Sequence, residues 1–240
     1  MTTSQFQHRG DEKKVQVEAM FDGIARRYDF LNHFLSFGID FYWRRQVIKT
    51  LDLKDGQRLL DVATGTGDQG FAALKAADIE VVGADFSAGM LEFAREKIEK
   101  RGLSEQFSVI QADAENLPFE AASFDALTIS YGIRNVGHID VALAEFQRVL
   151  KPGGRLAILE FSEPEGFLFS RLYRFYFDHI LPPMASLFSR KSAYTYLPES
   201  VRHFPTRDEF KDLLRQAGFG DVVHKDLTFG VTTIFSATRH

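Results

Sequence analysis

Residues 59–67, Leu59-Leu60-Asp61-Val62-Ala63-Thr64-Gly65-Thr66-Gly67, decide the fold. An apolar run carrying one acid breaks into a turn of small residues, and a helix-compatible segment follows at Gln69–Ala77. A strand that ends in such a turn brings backbone N–H groups and a helix N-terminus up to a ligand. The next apolar run, Glu80-Val81-Val82-Gly83-Ala84-Asp85, closes on a second acid. A carboxylate about 20 residues past the glycines is placed to accept both hydroxyls of a ribose. The stretch points to an adenosine-containing cofactor at the carboxyl end of a parallel sheet.

The spacing Gly65-x-Gly67-x-x-Gly70 also satisfies the dinucleotide fingerprint and is weak evidence by itself. Asp61 argues for S-adenosylmethionine instead. It lies in the strand four residues before Gly65, where it would repel a pyrophosphate but attract a sulfonium ligand bearing an ammonium group. A third acid, Asp113, ends Phe107–Ala112, where it can read an adenine amino group while the N–H of Ala114 bonds a ring nitrogen. Each acid also has a plainer reading. Asp61 fits a buried acid bonded to turn amides, Asp85 an N-cap, and Asp113 a strand end before a turn. Three acidic strand ends in succession are more specific than the glycines.

Composition bounds the rest. The chain has 240 residues, 45% of them hydrophobic, enough for one domain with elaborations. It contains no Cys, which excludes disulfide frameworks and thiolate chemistry and fits a reducing cytoplasm. The polar first 14 residues carry no secretory signal pattern, and no stretch reaches the roughly 18 apolar residues of a membrane span. No metal-ligand spacing is visible. A net charge of −4 offers no global attraction to nucleic acid. Phe is frequent, 24 residues, which hints at an apolar ligand surface.

Strands and helices alternate along the chain, which predicts a doubly wound, Rossmann-like α/β sheet, mostly parallel. Helices are expected at 12–35, with Val17, Phe21, Ile24, Tyr28 and Leu31 on one face, and at 41–51. Strands follow at 58–63, 80–84, 107–112, 124–130 and 155–161, with helices at 88–100 and 141–150 between them. Lys151-Pro152-Gly153-Gly154 reads as a helix stop feeding the fifth strand. A helix at 207–217 and strands near 221–226 and 230–238 complete the chain, the last two as an antiparallel edge hairpin.

Over about 55–240 this order resembles the class I S-adenosylmethionine-dependent methyltransferases, whose seven-stranded sheet has its last strand reversed. Ala63 stands where that pattern carries its first glycine, so one close backbone approach must tolerate a methyl group. Within the class, three runs resemble the ubiquinone/menaquinone biosynthesis C-methyltransferases. They are Tyr28–Gly38 with Trp43-Arg44-Arg45, Ile133-Arg134-Asn135-Val136, and Arg148–Ser162. The resemblance implies one methyltransferase domain over 1–240. Its parts are a helical cap (1–51), a cofactor-binding core (52–162), an aromatic insertion (163–204) and a C-terminal helix with hairpin (205–240). It also implies C-methylation of a polyprenylated quinol, with cofactor contacts at Thr66, Asp85, Asp113, Ala114 and Ser130.

The residues give a physical account beside it. Gly65 and Thr66 offer the turn's N–H groups, and a hydroxyl, to the methionine end of the cofactor. Ser130 ends the fourth strand, where the crevice of an open α/β sheet lies. Methyl transfer is an in-line displacement, so positioning and water exclusion carry most of the acceleration. A quinol carbon becomes strongly nucleophilic when its hydroxyl loses a proton, so the site needs a group that stabilises the quinolate. Arg134 and Asn135 are the candidates, Arg134 as a fixed charge; a structural ion pair is its plainer role. His33 is a candidate base or a capping residue. Tyr131 is read as lining the acceptor pocket or packing, and Tyr28 and Asp29 as holding the first helix over the cofactor or packing.

The 163–204 segment holds six Phe and four Tyr. It reads as a lid for an isoprenoid tail that touches a membrane surface through Arg171, Arg174, Arg190 and Lys191, or else as a packing cap or homodimer surface. The preferred acceptor is demethylmenaquinol over a benzoquinol. Alternatives are another class I methyltransferase on an apolar small molecule, a non-catalytic cofactor-binding subunit, and an NAD-dependent oxidoreductase, which lacks a hydride-transfer constellation.

Overall fold

The computed structural model describes residues 10–162, 164, 171, 196 and 199–240, with backbone only for residues 11, 15, 23–28, 30–32 and 35. Two helices, α1 (Asp11–Leu35) and α2 (Ile39–Leu51), precede the sheet. Then come β1 (Arg58–Val62), α3 (Asp68–Leu74), β2 (Glu80–Asp85), α4 (Ala88–Lys100), β3 (Phe107–Gln111) and β4 (Phe124–Ser130). A 3₁₀ turn, Ile133–Asn135, leads to α5 (Ile139–Val149), β5 (Leu150–Phe161), α6 (Arg207–Gln216) and β6 (Phe219–Leu227), and a second, Thr228–Gly230, leads to β7 (Thr232–Arg239).

The strands form one seven-stranded sheet in the order β3-β2-β1-β4-β5-β7-β6. β1 to β5 are parallel, and β7 runs antiparallel between β5 and β6. β1 and β4 are buried along nearly their whole length, as continuous apolar strands covered on both faces should be. The order reverses between β1 and β4, and an open α/β sheet binds its ligand at that switch point.

Local chemistry fixes the boundaries. Ser87 caps α4 by accepting from the Met90 N–H, and Gly102 with φ +66° ends it. Thr206 and Glu209 form a reciprocal capping box on α6. The Lys151–Gly154 run is not a loop ahead of the fifth strand. β5 begins at Leu150, and its register against β4 shifts between Phe124 and Ala126, so the two glycines sit within an irregular start of the strand. The frequent Phe is partly core: Phe107, Phe124, Phe146, Phe210 and Phe235 are among the largest fully buried side chains. Each contributes about 1.5–3 kcal/mol of burial. The aromatic segment at 163–204 lies mostly outside the described residues, as do the side chains of Ile24, Tyr28 and Leu31.

Candidate active site

At the carboxyl ends of the central strands lies an open cleft. Gly65, Asp85, Asp113, Ala114, Ser130, Tyr131 and Asn135 line it, and α1 roofs it with Lys14, Val17, Glu18 and Phe21. Six of the nine site residues expected from sequence therefore meet in one cavity. Asp61, Thr66 and Arg134 are not in its lining.

Asp85 ends β2 and accepts from the N–H of Gly65 at 2.7 Å and of Ser87 at 2.9 Å. Burial pushes its carboxyl up to about 6, against the pull of those N–H groups and with Asp22 adding to the rise. Asp22 comes from α1 and accepts from the Ser87 hydroxyl and, at 3.3 Å, from the Gly89 N–H, so it tethers the roof to the start of α4. Asp113 accepts from Lys14 Nζ at 2.8 Å and from the Glu115 N–H at 2.9 Å.

Asp61 lies beneath the glycine turn, 1% exposed, and accepts from the Thr64 hydroxyl at 2.6 Å. Burial pushes its carboxyl up to about 7, with Thr64, Arg44 and the Gly70 backbone opposing. Thr66 is buried with its hydroxyl turned to Asp29 of α1, and Lys97 joins Thr66, Asp29 and Asp68 at 3.1, 2.9 and 2.6 Å. This network clamps the helical cap onto the turn. His33 belongs to the same clamp: it bonds Asp40 at 2.7 Å, approaches Asp68 at 3.6 Å and stacks on Phe41.

The wall after β4 is held from behind. Arg134 is buried, with its guanidinium 2.6 Å from Glu160, 2.7 Å from the Tyr131 carbonyl and 3.3 Å from the Ser200 hydroxyl. Lys13 of α1 donates to the carbonyls of Arg134 and Val136 at 2.7 and 2.9 Å. Asn135 accepts from the Tyr196 hydroxyl at 2.9 Å and donates to the Tyr131 carbonyl at 3.3 Å. Tyr131 stacks on Phe161 and meets the edge of Trp43; burial raises its phenol well above the ordinary value, so it stays neutral. Ser130 and Gln69 are 3.4 Å apart.

Sequence reading missed Lys14, Asp22 and Glu160. Glu160 carried a signal, a lone acid inside the apolar run Leu156–Phe161, which requires a buried cation. Lys14 and Asp22 carried none, because their roles depend on where α1 lies.

Fold and cleft together define a class I S-adenosylmethionine-dependent methyltransferase. The chain belongs to the ubiE/COQ5 methyltransferase family, whose model matches residues 7–239. It is 45% identical over 234 residues to the ubiquinone/menaquinone biosynthesis C-methyltransferase UbiE of Geobacter sulfurreducens, covering 97% of this chain and 91% of that protein. It is 43% identical over 232 residues to a demethylmenaquinone methyltransferase of Bacteroides fragilis, covering 95% and 94%. Among solved structures, the [4+2]-cyclase SpnF superposes with a TM-score of 0.71 at 19% identity, covering 96% of this chain and 98% of that one. At that identity the likeness concerns the fold alone.

Proposed function

We propose that the protein transfers a methyl group from S-adenosylmethionine to a ring carbon of a polyprenylated quinol, demethylmenaquinol first. The observation that carries the reading is the cleft with Gly65, Asp85 and Asp113, at or just after the ends of β1, β2 and β3, on one wall and Tyr131 and Asn135 on the other. Family membership supports the chemistry, and the name of the Bacteroides relative supports the bicyclic ring.

The residues present fit the cofactor. Asp85 faces the cleft where a ribose would lie, Asp113 and Ala114 flank the adenine position, and small residues leave room at Gly65. When bound, S-adenosylmethionine would supply an electrophilic methyl whose bond to sulfur breaks, leaving S-adenosylhomocysteine, as the carbon–carbon bond forms; the ring carbon then gives its displaced proton to solvent, which restores the aromatic ring. Asn135 is the group we assign to the acceptor oxygen. Its amide nitrogen carries two hydrogens and gives one to Tyr131, which leaves the second to stabilise a developing quinolate. Arg134 holds this turn against Glu160 and acts as a positioning residue. Asp61 and Thr66 shape the glycine turn from below and from the roof. The roof helix excludes water.

A long isoprenoid tail resides in a bilayer, so the reading includes work at a membrane surface from the cytoplasmic side. Among the described residues no helix is long and apolar enough to cross a membrane.

The test is methyl transfer from labelled S-adenosylmethionine to short-tailed demethylmenaquinol and to its benzoquinol counterpart under reducing conditions. Incorporation into the first at the higher kcat/KM is expected. Cofactor binding without transfer to either quinol would overturn the reading.

A further inference from the structure

We propose that the elbow between α1 and α2, with the outer face of α2, is a docking surface for an anionic lipid bilayer. Its purpose rests on the quinol reading above; its geometry does not.

Three aromatic side chains stand in solvent at this elbow: Phe37 is 74% exposed, Phe41 58% and Tyr42 50%. Single exposed apolar residues are ordinary on a protein surface, whereas a cluster of large ones marks an interaction site. Phe37 also has φ +52°, followed by Gly38 at +76°. The left-handed region is unfavourable for a bulky side chain, so a strained turn carries this exposed ring. Aromatic rings presented this way suit the headgroup layer, where one end of the group is apolar and the surroundings are half wet.

Positive charge begins where the aromatics end. Phe41, Arg45 and Lys49 follow at four-residue spacing on the exposed face of α2, opposite the buried Trp43, Val47 and Leu51. Lys75 and Arg101 face Arg45 and Lys49 across an open groove. The groove's acids are Asp52, which pairs with Arg155, and Asp68, which pairs with Lys97. Arg45, Lys49 and Lys75 make no ion pair among the described residues. On a chain of net charge −4, a face that gathers positive charge in this way is drawn to an anionic surface, which orients the molecule.

The orientation serves the site. Trp43, on the inner face of α2, has its ring centroid 6.2 Å from that of Tyr131 on the acceptor wall. Lipid surface and acceptor wall are therefore the two sides of one helix, about 10 Å thick.

The experiment is co-sedimentation of the full chain with neutral phosphatidylcholine vesicles and with vesicles carrying phosphatidylglycerol. Binding to the anionic vesicles, weakening with salt, is expected. Arg45→Glu/Lys49→Glu should lower partitioning by about fivefold or more per residue. Phe37→Asn/Tyr42→Gln should remove most of it; Asn accepts the left-handed backbone and Gln the helix. Both variants should keep the wild-type melting temperature and turnover on a short-tailed quinol in solution, while turnover on a long-tailed quinol embedded in anionic vesicles falls. Wild-type protein that ignores anionic vesicles, or variants that bind them unchanged, would overturn the proposal. So would aromatic variants that convert a dimer to a monomer in light scattering while vesicle binding persists. Vesicle binding with no transfer to any quinol would instead break the proposed reaction and leave the docking surface standing.

Discussion

On the wall built by β1, β2 and β3, the groups facing the cleft come from strand ends and the turns just after them. The turn that forms the wall after β4 is held by partners far along the chain: Glu160 for Arg134, 26 residues away, and Tyr196 for Asn135, 61 away. The first wall places its groups by local strand ends and turns, even where a distant Lys14 then pairs with Asp113; the second depends on distant partners for the placement itself. That difference separates what an acid or glycine at a given spacing announces from what only a folded chain can arrange. It also predicts two kinds of mutational response, loss of ligand on the first wall and loss of fold on the second.

Replacing Arg134 should have the largest effect. Glu160 is fully buried, and burial raises its carboxyl above the ordinary value while Arg134 opposes that rise. Arg134→Ala leaves the acid without its cation, a loss of about 3–5 kcal/mol for a broken buried pair. For a chain of this size that is roughly 6–20 °C in melting temperature. The sign with pH follows. A carboxyl whose folded pKa is raised costs stability as pH climbs above its unfolded value, so the deficit should be larger at pH 8 than at pH 5. Arg134→Met/Glu160→Met should recover much of the loss. A variant that melts like wild type and loses only turnover would give Arg134 a direct part in the chemistry and erase the contrast between the walls.

Asp85→Ala should give the ligand-type response, with cofactor binding weakened by about 1–3 kcal/mol, roughly 5- to 150-fold, as ribose hydroxyls lose a charged acceptor. Isothermal calorimetry reads it directly. An unchanged dissociation constant would move the ribose elsewhere in the cleft.

The same carboxyl predicts a milder dependence on pH. With its folded pKa pushed up to about 6, Asp85 is mostly protonated at pH 5 and ionised at pH 7. If ribose binding needs the ion, affinity should fall about tenfold from pH 7 to pH 5. The cofactor-free fold should respond in the opposite sense, losing stability as pH rises from about 4 to about 6, because the buried acid must then ionise. Asp85→Asn should flatten both curves, and Asp61→Asn checks the contribution of the acid below the turn.

How far the sequence carried follows the same division. Asp85, Asp113, Ala114 and Ser130 were legible because strand, turn and helix succeed one another within a few residues, and the ends of parallel strands converge on one crevice. Thr66 was placed in the turn correctly, yet its hydroxyl faces Asp29 and Lys97, since the direction of a rotor depends on the roof helix. Arg134 and Asn135 were found as a pair, but which of them faces the cleft is decided by Glu160 and Tyr196, and no periodicity encodes those contacts. His33 was legible as a titratable group and illegible as part of the clamp on α3.

The smallest effect lies where the walls touch. Ala63 has φ +50°, a backbone state that costs a non-glycine residue about 1–2 kcal/mol. Its methyl lies where a side chain on Gly132 would be: a Cβ added to Gly132 would come within 2.4 Å of it. The two residues share one small space, in which the Ala63 methyl leaves no room for a side chain on Gly132. Ala63→Gly should relieve the strain, but glycine's looser unfolded chain offsets about 0.5–1 kcal/mol of that gain, leaving a net change within about 1 kcal/mol. Gly132→Ala alone should cost about 1–3 kcal/mol by overpacking, and less in the Ala63→Gly background, where the 2.4 Å contact is gone and Ile129 still crowds the new methyl at 3.0–3.2 Å. A coupling above about 1 kcal/mol in this cycle would tie the two walls together at a single contact. Additive effects would mean that they pack independently, and that the departure at Ala63 is tolerated by its own turn alone.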